Sequence, residues 1–347
     1  MFNLKAWLIY IIMKTFYKYQ KISDKTSSYN LNKADNKLFG SKTKWVVTEK
    51  IHGANFSISY ASSTIKFAKR TGYLEDGEWF YNYHLIKPKL IKNIEKISQI
   101  LNQTNFVVYG ELFGGFYPEN PNTFDRTQRI NSQGVSVLPV ELRAIQEGIY
   151  YSPDIQYCVF DIGLINPAGS IEFVDYTQVI SCIGQTELLY AKPLVIDTFD
   201  NVIKYPTQWN STIPESLGLK PMKPNTNIAE GIVCKPVCGN KITEGNRCII
   251  KIKNVQFKEI SEEFDLAQVS NSWQFVLGNL ICQNRLNAVL SKLGQLNKSN
   301  VQEVIRAMCE DVWEDYWLNF SHCVIPDQSQ ATDLVCKYVT QLVQANI

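Results

Sequence analysis

The sequence predicts an α+β protein, a mostly antiparallel β domain followed by a small all-α domain. Three observations carry this. Short apolar runs of strand length recur through the first part of the chain, bounded by Gly, Asn and Pro. Strand signals stop after about residue 255. Beyond that point apolar residues recur at helical spacing. Val301, Val304, Ile305, Met308, Val312, Trp313, Tyr316, Trp317 and Phe320 form one stripe, and Leu334, Val335, Tyr338, Val339, Leu342 and Val343 another. Residues 276 to 293 read as a third helix, and Ser299-Asn-Val-Gln302 as a capping box. The expected domains are therefore residues 13–254 and 255–347.

Trp45 to Tyr60 organises the first domain. It reads as a hairpin of two strands, with Gly53 supplying the conformational freedom of the turn. Asn55, Ser57 and Ser59 share one face after the turn, and Phe56, Ile58 and Tyr60 the other. Thr64 to Gly72 alternates likewise, with Lys66, Ala68 and Arg70 together. Leu90, Ile94, Ile97 and Leu101, with Pro88 in the first turn, predict an amphipathic helix over 88–101. Phe106 to Phe113 and Tyr157 to Ile162 are apolar strands carrying single acids, Glu111 and Asp161. Residues 170–185 predict a short strand and a helix, and 205–227 a long loop. Gly231 to Pro236 and Arg247 to Lys253 predict two further strands, with Gly-Asn turns at 239–240 and 245–246 between them.

Net charge is +2, from 35 basic and 33 acidic residues, so any polyanion would have to be met by a local concentration of Lys and Arg. The nine cysteines are odd in number and form no CxxC pair, which suggests reduced thiols, mostly in the core, in a reducing compartment. Three histidines, His52, His84 and His322, argue against a three-histidine metal centre. The apolar run Leu4 to Ile12 is far shorter than the roughly 20 residues that span a bilayer, and no targeting signal or membrane association is expected. Met13 reads as a second start and residues 1–12 as an upstream extension.

The familiar phosphate cradles GxxxxGK[ST] and GxGxxG are absent. Instead, Glu49, Lys50, Glu111, Asp161, Glu230, Lys251 and Lys253 each interrupt or end an apolar strand. Burying such charges unpaired costs several kcal/mol, roughly, so seven of them suggest either structural ion pairs or one polar cavity. Lys251 and Lys253 share a strand face, and an anion such as phosphate would relieve their repulsion. Lys50, at a strand end, is a candidate nucleophile.

Glu49-Lys-Ile-His-Gly-Ala-Asn55 resembles the KxHG nucleotidyl-transfer motif of the RNA ligase 2 family. The family's other elements follow in order: Ala68-Lys-Arg-Thr-Gly72, Tyr109-Gly-Glu-Leu-Phe113, Val159-Phe-Asp-Ile162, Ala229-Glu-Gly-Ile-Val-Cys-Lys-Pro236 and Ile249-Ile-Lys-Ile-Lys-Asn254. The resemblance runs from about residue 14 to the C-terminus. It implies an antiparallel-sheet nucleotidyltransferase domain, ATP-grasp-like, followed by a helical domain that engages RNA. It also implies ATP-dependent sealing of 3′-OH/5′-phosphate nicks, in duplex or templated RNA, through a lysyl-AMP intermediate. A capping guanylyltransferase or a DNA ligase of the same superfamily usually has Asp at the position of His52. A non-catalytic RNA-binding protein on the same fold is the remaining alternative.

By the same resemblance Lys50 would be the nucleophile. Glu49 and the backbone at Ile51 would contact adenine, with Phe160 stacked on it. Arg70 and Glu111 would hold the ribose and nearby groups, Lys251 and Lys253 the α-phosphate, and Glu230 a metal ion, Mg²⁺ or Mn²⁺. Asn55 would assist at the phosphate. His52 is either a site residue or a turn-stabilising one, and Asp161 either a site residue or a structural acceptor. The Gly114 to Pro153 segment, with Gln146 to Asp154, is more similar to the mitochondrial RNA-editing ligases, which lack this kind of helical tail. A monomer acting alone on nicked duplex RNA, in the cytoplasm or wherever that RNA is, is the expectation. Asn284, Arg285, Asn287 and Lys292 are candidate phosphate contacts in the tail, or else a solvated helix face.

Overall fold

Strands β1 (Trp45–Glu49) and β2 (Ala54–Ala61) do not form a hairpin: they belong to different sheets. The computed structural model describes residues 15–29, 31, 35–115, 117, 129–130, 136–137, 144–220, 222–238, 247–260 and 272–347. The segment 1–12 and the Gly-Asn pairs at 239–240 and 245–246 lie outside the described residues. β1 sits between β11 (Pro193–Asp197) and β12 (Gly231–Pro236), and β13 (Ile250–Lys253) completes an antiparallel sheet in the order β11-β1-β12-β13.

β2 enters a larger sheet, in the order β10 (Leu189–Tyr190), β8 (Gln156–Ile165), β5 (Asn105–Phe113), β2, β3 (Thr64–Lys69), β4 (Gly72–Tyr73), with β9 (Ile171–Phe173) also on β8. Its pairings are antiparallel except the short one of β10 with β8. β6 (Arg129–Ile130) and β7 (Ser136–Val137) pair separately. Gly53 carries the chain between the two sheets by close approach rather than by a left-handed turn. A Cβ there would lie 2.1 Å from the carbonyl oxygen of Leu112 on β5, and its φ is not positive.

Alternation decides which residues face which way. Ala54, Phe56, Ile58 and Tyr60 of β2, with Phe106, Val108 and Leu112 of β5, enter one core beneath α1 (Lys87–Leu101) and α2 (Tyr176–Ile183). α1 buries Leu90, Ile94 and Ile97 as its spacing predicts. It also buries Asn93, whose side chain donates to Lys89 O and accepts from Glu187 N–H. On the smaller sheet Trp45, Val47, Ile232, Cys234 and Ile250 pack against Tyr29, Leu38 and Val202, the last from α3 (Phe199–Val202). A third cluster, including Tyr19, Val107, Tyr109 and Ile249, lies between the sheets, with Phe160 and Val233 packed against it. The loop expected over 205–227 contains one short helix, α4 (Ile213–Ser216). Cys158, Cys182, Cys234, Cys248 and Cys323 are buried, and all nine cysteines are free thiols.

Residues 254–347 form a second compact unit. Its helices are α5 (Trp273–Leu280), α6 (Gln283–Leu293), α7 (Val301–Asn319) and α8 (Gln328–Gln344). The single helix expected over 276–293 is two helices. The capping box is corrected as well. Asn300 is the N-cap and makes no side-chain cap bond, while Ser299 Oγ donates to Asn297 Oδ1. The buried stripe of α7 narrows to Val304, Met308, Val312 and Tyr316, against Ala331, Val335, Val339 and Val343 of α8. Trp317 stays 50% exposed. Among the described residues, no helix is long and apolar enough to cross a membrane.

Candidate active site

The first unit sets charged side chains on the facing sides of its two sheets. Asn55 lies directly opposite Glu111 in the β2–β5 pairing, on the face that turns away from the core beneath α1. Lys251 and Lys253 alternate with Ile250 and Ile252, which pack in the core of the smaller sheet, so both lysines take the opposite face. Lys50 follows β1 directly, tied by its N–H to Gly231 O at 2.9 Å.

The side chains converge on Glu230. Its Oε2 lies 2.6 Å from Lys50 Nζ and 3.5 Å from His52 Nδ1, and its Oε1 lies 3.4 Å from Lys253 Nζ. Burial alone would raise the Glu230 carboxyl. Lys50, His52 and Lys253 overturn that and hold it well below the usual carboxylate range. Glu111 goes the other way. Burial pushes it up to about 8, with Glu230 adding to the rise and Lys50 and Arg70 opposing it. Two carboxylates beside one lysine are thus driven apart, one firmly ionised and one inclined to keep its proton. Arg70 donates to the backbone oxygens of Tyr19 (2.8 Å) and Gln20 (3.3 Å), which fixes it beside Glu111.

The remaining expected residues divide. Glu49 turns from Lys50 to the 211–212 loop, where its Oε2 accepts from Thr212 N–H (2.9 Å) and Oγ1–H (2.8 Å). Its Oε1 is buried and has no donor at hydrogen-bond geometry. Burial raises its carboxyl, against the lowering pull of Ser211 and Thr212. Ile51, two residues further on, is buried. Phe160 is half-buried, its ring 5.0 Å from that of Tyr19.

Asp161 does not join the Lys50 cluster. It is 1% exposed and bonds to Arg247 Nη2 (2.6 Å), Lys235 Nζ (2.9 Å) and the Tyr19 hydroxyl (2.5 Å). Burial would raise it, but Arg247 and then Lys235 hold it at about 2. In this structure Asp161 accepts from Tyr19, Lys235 and Arg247. Its cluster joins β8 of the larger sheet to β12 of the smaller, and Lys235 also donates to Phe160 O at 2.6 Å.

The four tail residues differ in exposure and partners. Arg285 is 1% exposed and spends its guanidinium on Asp311, Asp315, Leu280 O and Glu259 O. It braces the helical unit from within, rather than forming part of a solvated helix face. Asn284 donates to Gln256 O and Lys258 O, both at 2.9 Å. Asn287 Oδ1 accepts from Gln283 Nε2. Lys292 pairs with Asp311 at 2.9 Å and remains 41% exposed.

Sequence reasoning missed Lys235, Arg247, Thr212, Asn227 and Tyr151. Lys235 was readable, since it interrupts the apolar strand β12 as the expected charges do. Tyr151 and Thr212 lie in loops, with no pattern to mark them. Among the described residues no three His, Cys, Asp or Glu side chains gather to hold a metal ion by themselves. Glu230 nonetheless suits an ion that keeps most of its waters and binds one or two carboxylates together with phosphate oxygens.

Residues 264–345 match the T4 RNA ligase 2 C-terminal family. The chain is 27% identical over 328 residues to mitochondrial RNA-editing ligase 2 of Trypanosoma brucei brucei, covering 79% of this chain and 76% of the relative. It is 26% identical over 328 residues to mitochondrial RNA-editing ligase 1, covering 79% of this chain and 70% of that one. Solved structures of Naegleria gruberi RNA ligase variants, one with ATP and Mn and one with AMP and Mn, align at 16% and 17% identity with a TM-score of 0.43. Those alignments cover 70% of this chain and 57% of the solved chain, so this chain spans little more than half of that ligase. The match that covers the Lys50 cluster runs from residue 43 to residue 253, and by it the chain belongs to the RNA ligase family.

Proposed function

We propose that this RNA ligase is ATP-dependent, works through a covalent Lys50–AMP adduct, and seals 3′-OH/5′-phosphate nicks in duplex or templated RNA as a monomer. The observation that carries the reading is the meeting of Lys50, Glu230 and Lys253, from three separate strand ends, in one half-buried cluster. One amine, one ionised carboxylate and a second cation are what transfer of a phosphoryl-linked nucleotide to lysine calls for.

In the first step Lys50 Nζ forms a bond to the α-phosphorus of ATP. The bond from that phosphorus to the bridging oxygen breaks, and pyrophosphate leaves with its electron pair. The amine must leave Glu230 and lose its proton before it can attack. Lys253 and Lys251, on one strand face, bind the α-phosphate oxygens and offset the charge that builds there. A divalent ion, Mg²⁺ or Mn²⁺, at Glu230 supplies further charge neutralisation on phosphate when bound. Glu49 offers its unpaired Oε1 to the exocyclic amine of adenine, an NH donor. Glu111, Arg70 and Asn55 line the opposite sheet face, where the sugar lies. Phe160 stacks on the base.

In the second step an oxygen of the RNA 5′-phosphate displaces Lys50 from the AMP phosphorus. In the third the 3′-hydroxyl attacks the 5′-phosphate, its proton is lost and AMP leaves. The helical unit grips the duplex. Incubation with α-phosphate-labelled ATP and Mg²⁺, followed by a chase with nicked duplex RNA, tests the reading. Acid-labile label on the wild type alone, none on Lys50→Ala, and sealing in the chase are expected. Equal labelling of Lys50→Ala sinks it. Label from GTP in place of ATP points instead to capping chemistry.

A further inference from the structure

The crossover from Lys50 to Gly53 carries backbone groups that no sheet ladder satisfies. The Lys50 N–H still reaches Gly231 O, and pairing resumes only at Ala54. Between these points the His52 N–H donates to the phenol oxygen of Tyr151 at 2.9 Å. Tyr151 is 2% exposed, with its ring edge-on to Phe113 at 5.2 Å. Burial, reinforced by the charges of Glu49 and Glu230, drives its hydroxyl well above the usual phenol value, so it stays neutral and accepts through a lone pair.

The segment that delivers Tyr151 is itself fastened. Asn227, 1% exposed, accepts from Tyr150 N–H at 2.8 Å and donates to Tyr150 O at 2.9 Å. Its own carbonyl accepts from Ser211 N–H at 2.8 Å, next to the Thr212 that holds Glu49. Three residues on along the chain stands Glu230. One buried residue thus ties the Tyr151 segment, through its side chain, to the 211–212 loop that supports Glu49, through its backbone carbonyl.

We infer that Tyr151, held by Asn227, is a positioning residue for the attack of Lys50. Its hydroxyl fixes the backbone two residues beyond the nucleophile, between the end of β1 and the start of β2. The inference rests on the lysyl-AMP reading above. Tyr151 acts through the His52 backbone. A phenylalanine would fill the same space and lose only the hydroxyl, so the two roles of the side chain, packing and positioning, are separable. Displacing a nucleophile by about 1 Å lowers a rate on the order of 100-fold.

The test compares the wild type with Tyr151→Phe and Asn227→Asp, each as the full chain with its melting temperature measured. One assay is single-turnover transfer of AMP from α-phosphate-labelled ATP to Lys50 over a range of ATP concentrations. The other is sealing of a nicked duplex RNA whose 5′ end already carries AMP, a reaction in which Lys50 is not the nucleophile. Tyr151→Phe should lower the saturating rate of AMP transfer by about 10- to 100-fold. The ATP concentration for half-maximal rate and the sealing of the pre-adenylylated nick should change by less than about threefold. Asn227→Asp, which keeps the acceptor and loses the donor to Tyr150 O, should fall between. Unchanged AMP transfer by Tyr151→Phe overturns the inference, as does a parallel loss of both reactions that tracks melting temperature. A wild type that takes no label overturns the lysyl-AMP reading, and this inference with it; a labelled wild type with an unaffected variant overturns the inference alone.

Discussion

Lys50 and Glu230 are 180 residues apart in the chain, yet their charged atoms stand 2.6 Å apart between the two sheets. Glu230 is nearly inaccessible and also faces Lys253 and His52, so removing its charge takes a buried carboxylate from two lysines at once. Breaking a buried pair costs about 3–5 kcal/mol, and the partial exposure of both lysines lowers the expectation here to about 2 kcal/mol. Glu230→Gln should show that loss in urea denaturation at neutral pH. A variant as stable as the wild type would mean that the pair contributes nothing to the fold.

Glu111 gives stability a pH dependence of the opposite sign. Its carboxyl rises from the ordinary 4.5 to about 8 in the folded protein, chiefly through burial. The fold therefore binds a proton that the unfolded chain releases. That contribution is fully present below the unfolded value and is lost as pH rises through the folded one. The melting temperature should fall as pH is raised from about 5 to about 8, and Glu111→Gln should flatten the slope. The depressed carboxyls of Asp161 and Glu230 lose their contribution only as pH falls below the ordinary carboxylate range, so they do not mask this window. An identical slope in both proteins would refute the assignment.

Gly53→Ala should damage both fold and activity. The added methyl would meet the Leu112 carbonyl oxygen at 2.1 Å, and backbone cannot move aside without separating the sheets. The expected destabilisation is about 3 kcal/mol or more, at the upper end of overpacking effects. Gly72→Ala, with nothing within 4 Å, should stay within about 0.5 kcal/mol. Paired thermal melts decide the matter, and equal effects would exclude close approach as the reason for glycine at 53.

Arg285→Ala should unfold the helical unit rather than weaken an RNA contact. Removing the guanidinium takes a fully buried partner from both Asp311, which keeps Lys292, and Asp315, a loss of about 3–5 kcal/mol. Lys292→Ala, at a partly exposed pair, should cost about 0–1 kcal/mol. Circular dichroism against denaturant separates the two. A stable Arg285→Ala protein that binds RNA poorly would restore the contact role.

The elements were legible where one periodicity ran uninterrupted. The Phe56, Ile58, Tyr60 alternation, the Leu90, Ile94, Ile97 helix face and the Val335, Val339, Val343 stripe all pack as their spacing indicates. The failures came where pairing or partnership had to be known. Nothing local tells β1 from a hairpin strand, because its partners are Pro193 to Asp197 and Gly231 to Pro236. Nor can spacing tell Arg285 from a solvated arginine, because Asp311 and Asp315 lie on another helix. Asp161 reads like Glu230, a single acid on an apolar strand, and only its neighbours separate them.

The sequence by itself determined the covalent inventory and the faces: which residues carry charge, which sit two apart on a strand, and which repeat on a helix. That suffices to single out Glu49, Lys50, Glu111, Asp161, Glu230, Lys251 and Lys253 as charges on apolar strands, and to set Lys251 and Lys253 on one face, since side-chain direction along a strand follows from backbone geometry alone. Only the tertiary structure decided who meets whom. It set Glu230 against Lys50, sent Asp161 to Arg247 and Lys235, and brought Tyr151 under the crossover at His52. The reason is physical. Electrostatic and hydrogen-bond energies depend on distance through space, and folding brings together atoms that lie far apart along the chain.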